Sequence, residues 1–254
     1  MKTLFAIGDS LTAGAECIGD KDMTELNKEH AYPMYVANKL KFDTCINKAL
    51  PGASNDWITR KCVLELEELK RRGQDLKDCF VLVGWSSINR TEVNIRSVLD
   101  QVAVDPEIKL EFMPDLQHAE MNLFSSLFVN ANTNPTKVKG DGGLFIETCH
   151  EVKNFSGKYL WDYELEYEKW YSNIQLLRSY LEQNVGNFLF HNNIHKCEVH
   201  SDTYNFKNYF QPRDESFNEW ATTNEYSRMK LFHPVEKAHG DYSKLLVKYI
   251  EDNL

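Results

Sequence analysis

The strongest constraint on this chain is the alternation of short apolar runs with segments of helical periodicity. Thr3–Ile7, Thr44–Asn47, Cys79–Gly84 and Asn187–His191 are apolar runs of strand length, each followed by a turn or a polar segment. That is the pattern of strands buried on both faces. Between them apolar residues recur at helical spacing. Tyr32–Leu40 is a short helix, and Asp56–Arg72 repeats Ile58, Cys62, Leu66 and Leu69 before stopping at Gly73. Leu160–Asn184 carries Trp161, Leu165, Trp170, Ile174, Leu177 and Leu181, with acids in its first turn and Gly186 beyond its end. The last helix is expected from Pro234, a favoured first helical residue, through Ala238, Tyr242, Leu245, Leu246, Tyr249 and Ile250. Strands alternating with helices predict an α/β fold, a parallel sheet covered on both faces.

At 254 residues, 42% apolar and 26% charged, the chain suits one α/β domain over residues 1–254, with insertions. Two stretches fit the alternation poorly. Residues 105–158 mix Pro106, Pro114, Pro135 and three glycines with short apolar patches, and residues 195–231 are polar and aromatic. Both are read as insertions on the side of the sheet where open α/β folds bind ligands. The net charge of −9 argues against a nucleic-acid partner and favours a neutral or cationic small substrate. The six cysteines are dispersed, without metal-type or disulfide-framework spacing, and are expected as free thiols. The N-terminal apolar run is too short for a leader or a membrane span. A cytoplasmic protein without a membrane partner is expected, with association with a phage particle as the alternative.

Two stretches carry residues suited to chemistry. After Leu4-Phe5-Ala6-Ile7 the chain reads Gly8-Asp9-Ser10-Leu11-Thr12-Ala13-Gly14, and later it reads Phe232-His233-Pro234. A strand that delivers a serine into a glycine-flanked turn leaves its hydroxyl and nearby N–H groups aimed at one spot, as acyl transfer requires. A histidine distant in sequence can supply the base. The plain alternative for Asp9 and Ser10 is a helix N-cap.

These two blocks resemble those of the SGNH/GDSL hydrolases, whose first block is Gly-Asp-Ser-Leu-x-x-Gly and whose last is a His-Pro before the C-terminal helix. The resemblance implies a flavodoxin-like α/β/α sandwich, a Ser10 nucleophile, a His233 base, no cofactor and no metal. It also assigns the Ser10 N–H to the oxyanion hole, with Asp9 supporting the turn, and His239 matches the family's second, structural histidine. The second block implies the Gly52 N–H as another donor, from Asn47-Lys48-Ala49-Leu50-Pro51-Gly52-Ala53-Ser54-Asn55. The third block departs from the family. It reads Gly84-Trp85-Ser86-Ser87-Ile88-Asn89-Arg90-Thr91-Glu92, so Ser86 stands where the family has an asparagine amide. Either Ser86 or Asn89 completes the oxyanion hole. The stretch is similar to a variant found in phage-encoded SGNH-like proteins. Asp9, Asn55, Trp85, Asn89, Arg90 and His191 are the candidates for contacting substrate, although Arg90 paired with Glu92 is an equal alternative.

The last block departs as well, because Lys230 occupies the position of the aspartate that orients the histidine. A main-chain carbonyl, or Asp214, Glu215, Glu219 or Glu225, is left to fill that role. His191, His195, Cys197 and His200 lie close together but match no zinc spacing. The function implied is hydrolysis of an ester, with an O-acetyl group on a glycan as the first substrate to consider. The competing reading is a catalytically degenerate SGNH fold used for binding or as a virion component. A third, an anion-binding flavodoxin-like module, lacks a glycine-rich phosphate fingerprint. Oligomeric state is not legible.

Overall fold

All four apolar runs become strands of one parallel sheet in the computed structural model, which describes residues 2–19, 24–88, 90–91, 129–130, 163–194, 206–210, 215–230 and 233–254. They are β1 (Thr3–Ile7), β2 (Thr44–Asn47), β3 (Cys79–Trp85) and β6 (Asn187–Asn192). Residues Tyr209–Phe210 add β7 at the edge, giving the order β2-β1-β3-β6-β7. Apart from this sheet, β4 (Arg90–Thr91) and β5 (Val129–Asn130) form a two-stranded antiparallel ladder. The chain divides into two compact units, one of Met1–Ser87 with Trp170–Leu254 and one of Ile88–Lys169. The parallel sheet belongs to the first.

The helices are α1 (Ser10–Ala13), α2 (Glu25–Glu29), α3 (Tyr32–Lys39), α4 (Asn55–Arg71), α5 (Tyr163–Asn184), α6 (Phe217–Thr223) and α7 (Glu236–Asn253). Strand alternation distributes them over the two faces. Leu4, Ala6, Phe80, Leu82 and Leu189 join Tyr32 and Val36 of α3, Phe217 and Trp220 of α6, and Tyr242 and Leu246 of α7 in one core. The alternate residues Phe5, Ile7, Val81 and Val83 are equally buried, as are Ile58, Cys62 and Leu66 of α4 and Ile174, Leu177 and Leu181 of α5. Helices α4 and α5 are joined by Asn173 Nδ2 donating to Asp56 Oδ1 at 2.7 Å and Tyr180 O–H donating to Glu67 Oε1 at 2.6 Å. The result is the flavodoxin-like α/β/α arrangement.

Within the expected insertion 195–231 the described residues include β7 and α6, whose Tyr209, Phe210, Phe217 and Trp220 are core residues. One expected boundary, the start of the last helix, is revised. Helix α7 starts at Glu236 with Val235 as its N-cap, because Pro234 forms an antiparallel bridge with Arg228 and holds the chain extended. The expected insertion 105–158 lies outside the described residues, apart from β5. Cys17, Cys45, Cys62 and Cys79 are free thiols, and burial pushes Cys17 and Cys45 each up to about 12.

Candidate active site

The Gly-Asp-Ser-Leu stretch folds as a one-turn helix because both ends are locally dictated. Asp9 is the N-cap of α1, its Oδ1 accepting from the Leu11 N–H at 3.0 Å. Ser10 is the first helical residue and is 5% exposed. Gly14 ends the turn in the left-handed region at φ +71°, and a Cβ there would lie 2.6 Å from Asn27 O. Gly8 is needed for a different reason: a Cβ on it would collide with the Thr12 side chain and approach Gly84 O to 2.7 Å.

Beneath this turn lies a buried polar network. Asn193, just past β6, donates through Nδ2 to Asp9 Oδ1 at 2.7 Å and to Thr12 Oγ1 at 2.8 Å. Tyr32 OH lies 2.7 Å from Thr12 Oγ1 and 2.9 Å from His191 Nε2, and His191 Nδ1 lies 3.2 Å from Tyr242 OH. His239 Nδ1 accepts the Tyr32 N–H at 3.3 Å. Burial disfavours the imidazolium of both histidines and lowers each to about 3. Asp9 and His191, expected from the sequence as substrate contacts, are both wholly buried and belong to this network beside the Ser10 turn. Trp85 is another residue expected from the sequence as a substrate contact. It is wholly buried at the end of β3, its ring edge-on to Phe190 at 5.3 Å.

The second block is stitched to the first through its backbone. Lys48 N–H donates to Ala6 O at 2.8 Å, Leu50 N–H to Gly8 O at 3.1 Å, and Asn47 Nδ2 to Thr12 O at 2.8 Å. Gly52 follows at φ +82°, and Ser54 caps α4 by accepting the Trp57 N–H. Neither the Ser10 N–H nor the Gly52 N–H is hydrogen-bonded to another described residue. The third block is held by Asn55, whose Oδ1 accepts the Ser86 N–H at 2.8 Å while its Nδ2 donates to Ser86 O at 3.2 Å. Asn55 is 4% exposed, and this two-point pairing positions the Ser86 loop.

His233 precedes Pro234, whose antiparallel bridge with Arg228 lies ahead of α7. Met229 N–H donates to His233 O at 2.9 Å, and Arg228 anchors the opposite arm to α6 through Asn218 and Thr222. The imidazole Nδ1 lies 2.9 Å from Glu16 Oε2. Glu16 is wholly buried and sits in the left-handed region at φ +58°, while the His233 side chain is 16% exposed. Glu16 lies three residues past the end of α1, where Ala15 N–H donates to Ser10 O at 2.9 Å, and Glu236 N–H at the start of α7 donates to Cys17 O at 2.8 Å. Ser10 and His233 are therefore tied to one turn, although Ser10 Oγ makes no hydrogen bond to the imidazole among the described residues.

Sequence reasoning missed Glu16. Of the acids it considered, Glu219 completes the α6 capping box, Glu215 accepts from Thr223 Oγ1 at 3.0 Å, and Glu225 is exposed. Asp214 and Asn89 lie outside the described residues, as do His195, Cys197 and His200. Lys230 is exposed. Arg90 lies in β4, opposite Asn130. Among the described residues no group of three or more His, Cys, Asp or Glu is arranged to hold a metal ion, and no helix is long and apolar enough to cross a membrane.

Comparison with known proteins adds the following. A family of unknown function, DUF6071, matches residues 15–120. No curated protein matches the chain. Among solved structures, the chain is similar to the acetyl xylan esterase Est2A from the rumen bacterium Butyrivibrio proteoclasticus, at 14% identity over 99% of this chain and 64% of that one, with a TM-score of 0.49. It is similar to a catalytic mutant of Axe2, an acetylxylan esterase from Geobacillus stearothermophilus, at 14% identity over 98% and 94% of the two chains, with a TM-score of 0.45. A putative lipolytic protein of the G-D-S-L family from Desulfitobacterium hafniense is similar at 12% identity over the full length of both chains, with a TM-score of 0.33.

Proposed function

We propose that this protein is a serine hydrolase of the SGNH type that cleaves an ester through an acyl-enzyme on Ser10, with His233 as base and then acid. The observation that carries the reading is that the first and last sequence blocks, remote along the chain, are tied to one turn at the end of β1. Ser10 Oγ bonds to the carbonyl carbon and gives its proton to His233, while the carbonyl electron pair moves onto oxygen. The Ser10 and Gly52 N–H groups receive that oxyanion, with Ser86 or Asn89 as the third donor. Collapse expels the alcohol, which takes the proton from His233, and water repeats the sequence to release the acid. The net charge of −9 supports a neutral or cationic ester over a nucleic acid. An O-acetyl group on a glycan, within the range of the SGNH resemblance, is the substrate we assign first.

A second reading is favoured by two substitutions. Ser86 and Lys230 stand at signature positions where the resemblance implies an asparagine and an aspartate, as expected of a fold kept for binding or for a virion. One experiment separates the readings: labelling with a fluorophosphonate probe, with Ser10→Ala as control. A hydrolase is labelled at Ser10, hydrolyses p-nitrophenyl acetate, and loses both in Ser10→Ala and His233→Ala. A folded protein that is neither labelled nor active is the binding or structural protein.

A further inference from the structure

We propose that Glu16 is the positioning acid for His233, replacing from the first block of the chain the aspartate missing from the last; this rests on the esterase reading above. Four observations converge on it. The carboxylate meets Nδ1 at 2.9 Å, so Nδ1 carries the proton and Nε2 keeps its lone pair for the serine. The side chain is wholly buried, where a polar group needs a partner, and His233 Nδ1 supplies one to Oε2. Its backbone occupies the left-handed region, costly for a residue with a Cβ, and such outliers gather at functional sites. Finally, the position that the resemblance gives to the aspartate holds an exposed lysine, and Glu219 and Glu215 are engaged elsewhere.

The surroundings leave Glu16 as the group that orients the ring. On α7, Glu236 Oε1 is taken by His30 Nδ1 and the Tyr35 hydroxyl, each at 2.6 Å. His239, also on α7, is kept neutral by burial, and the Cys17 thiol on the adjoining turn is pushed up to about 12 by its own burial. When His233 Nε2 takes the Ser10 proton, the resulting imidazolium keeps its Nδ1–H on the Glu16 carboxylate until the proton passes to the leaving alkoxide. Glu16 itself exchanges no proton.

The test combines nitrogen-15 histidine NMR with kinetics on wild type, Glu16→Gln, Glu16→Asp and Lys230→Ala. In wild type, neutral His233 should be the Nδ1–H tautomer. Glu16→Gln, folded by circular dichroism, should lower kcat for p-nitrophenyl acetate by about 10²- to 10⁴-fold and slow fluorophosphonate labelling to match. KM should stay within about twofold, since the interaction lost is one made in the transition state. Glu16→Asp should recover part of the rate, and Lys230→Ala should match wild type. A wild-type His233 in the Nε2–H form overturns the proposal even if Glu16→Gln does not fold, and so does a folded Glu16→Gln at wild-type rate. A wild type that is neither labelled nor active overturns the esterase reading itself, whereas a labelled wild type with an unaffected Glu16→Gln overturns only the role of Glu16.

Discussion

Asn193 donates its side-chain amide to Asp9 Oδ1 at 2.7 Å, so the end of β6 holds the residue that caps the Ser10 turn. The same nitrogen reaches Thr12 Oγ1, and Asn193 is itself wholly buried. Asn193→Ala removes donors from buried acceptors and is expected to lower the unfolding free energy by about 1–3 kcal/mol. Urea unfolding checks this as a reduced midpoint at an unchanged m value. Asn193→Asp should be worse, because it sets a second carboxylate beside Asp9.

Gly84 is the point of closest packing between β3 and that network. A Cβ there would stand 2.5 Å from both Asn193 Nδ2 and Thr12 Oγ1, and 2.8 Å from Tyr32 OH. Gly84→Ala must therefore displace hydrogen-bonded atoms inside a filled core, at an expected cost of about 1–3 kcal/mol. Thermal unfolding should show the loss, and a variant with wild-type stability would mean that the network repacks freely.

His191 and His239 make stability depend on pH. The unfolded chain protonates each near the ordinary histidine value of about 6.5, whereas burial holds both neutral in the folded protein down to about 3. The unfolded state therefore binds more protons in that window. Stability is full above the unfolded value and falls as pH drops toward 3, by up to about 1.4 kcal/mol per pH unit for each histidine. Unfolding midpoints taken from about pH 7 to about pH 4 should trace this slope. His239→Asn, which keeps an acceptor for the Tyr32 N–H, should flatten it.

Asn55 tests whether the Ser86 loop belongs to the site. Its bidentate amide fixes the Ser86 backbone. If that loop contributes to acyl transfer, Asn55→Ala should cost about 10²-fold in p-nitrophenyl acetate hydrolysis through misplacement alone. Rates normalised to titrated active sites will separate this from a smaller folded fraction.

The sheet was legible because its strands are apolar runs, whose ends fall within a residue of those read from the sequence: Cys79–Gly84 became Cys79–Trp85, and Asn187–His191 became Asn187–Asn192. Strand β7 was not, since two residues hold no period. Helix α6 carried a readable sign, the Ser216-x-x-Glu219 capping box, overlooked because its surroundings are polar. Pro234 misled because a proline that suits a helix start suits an extended bridge equally well. At the site, Ser10, Gly52 and His233 were marked by motifs. Glu16 is marked by none, since it meets His233 across 217 residues and its left-handed backbone comes from the packed turn. Its one local sign is to be the lone charge in Thr12-Ala13-Gly14-Ala15-Glu16-Cys17.

The span of the Glu16–His233 pair has a temporal consequence. The proposed nucleophile, Ser10, and the proposed base, His233, come from opposite ends of a very long loop, whose closure is entropically expensive and therefore late. Strand β1 can find β2 and β3 while His233 is still far away. On refolding, the native sheet signal in circular dichroism should return before reactivity toward a fluorophosphonate, so the serine stays chemically quiet until the chain has closed around it.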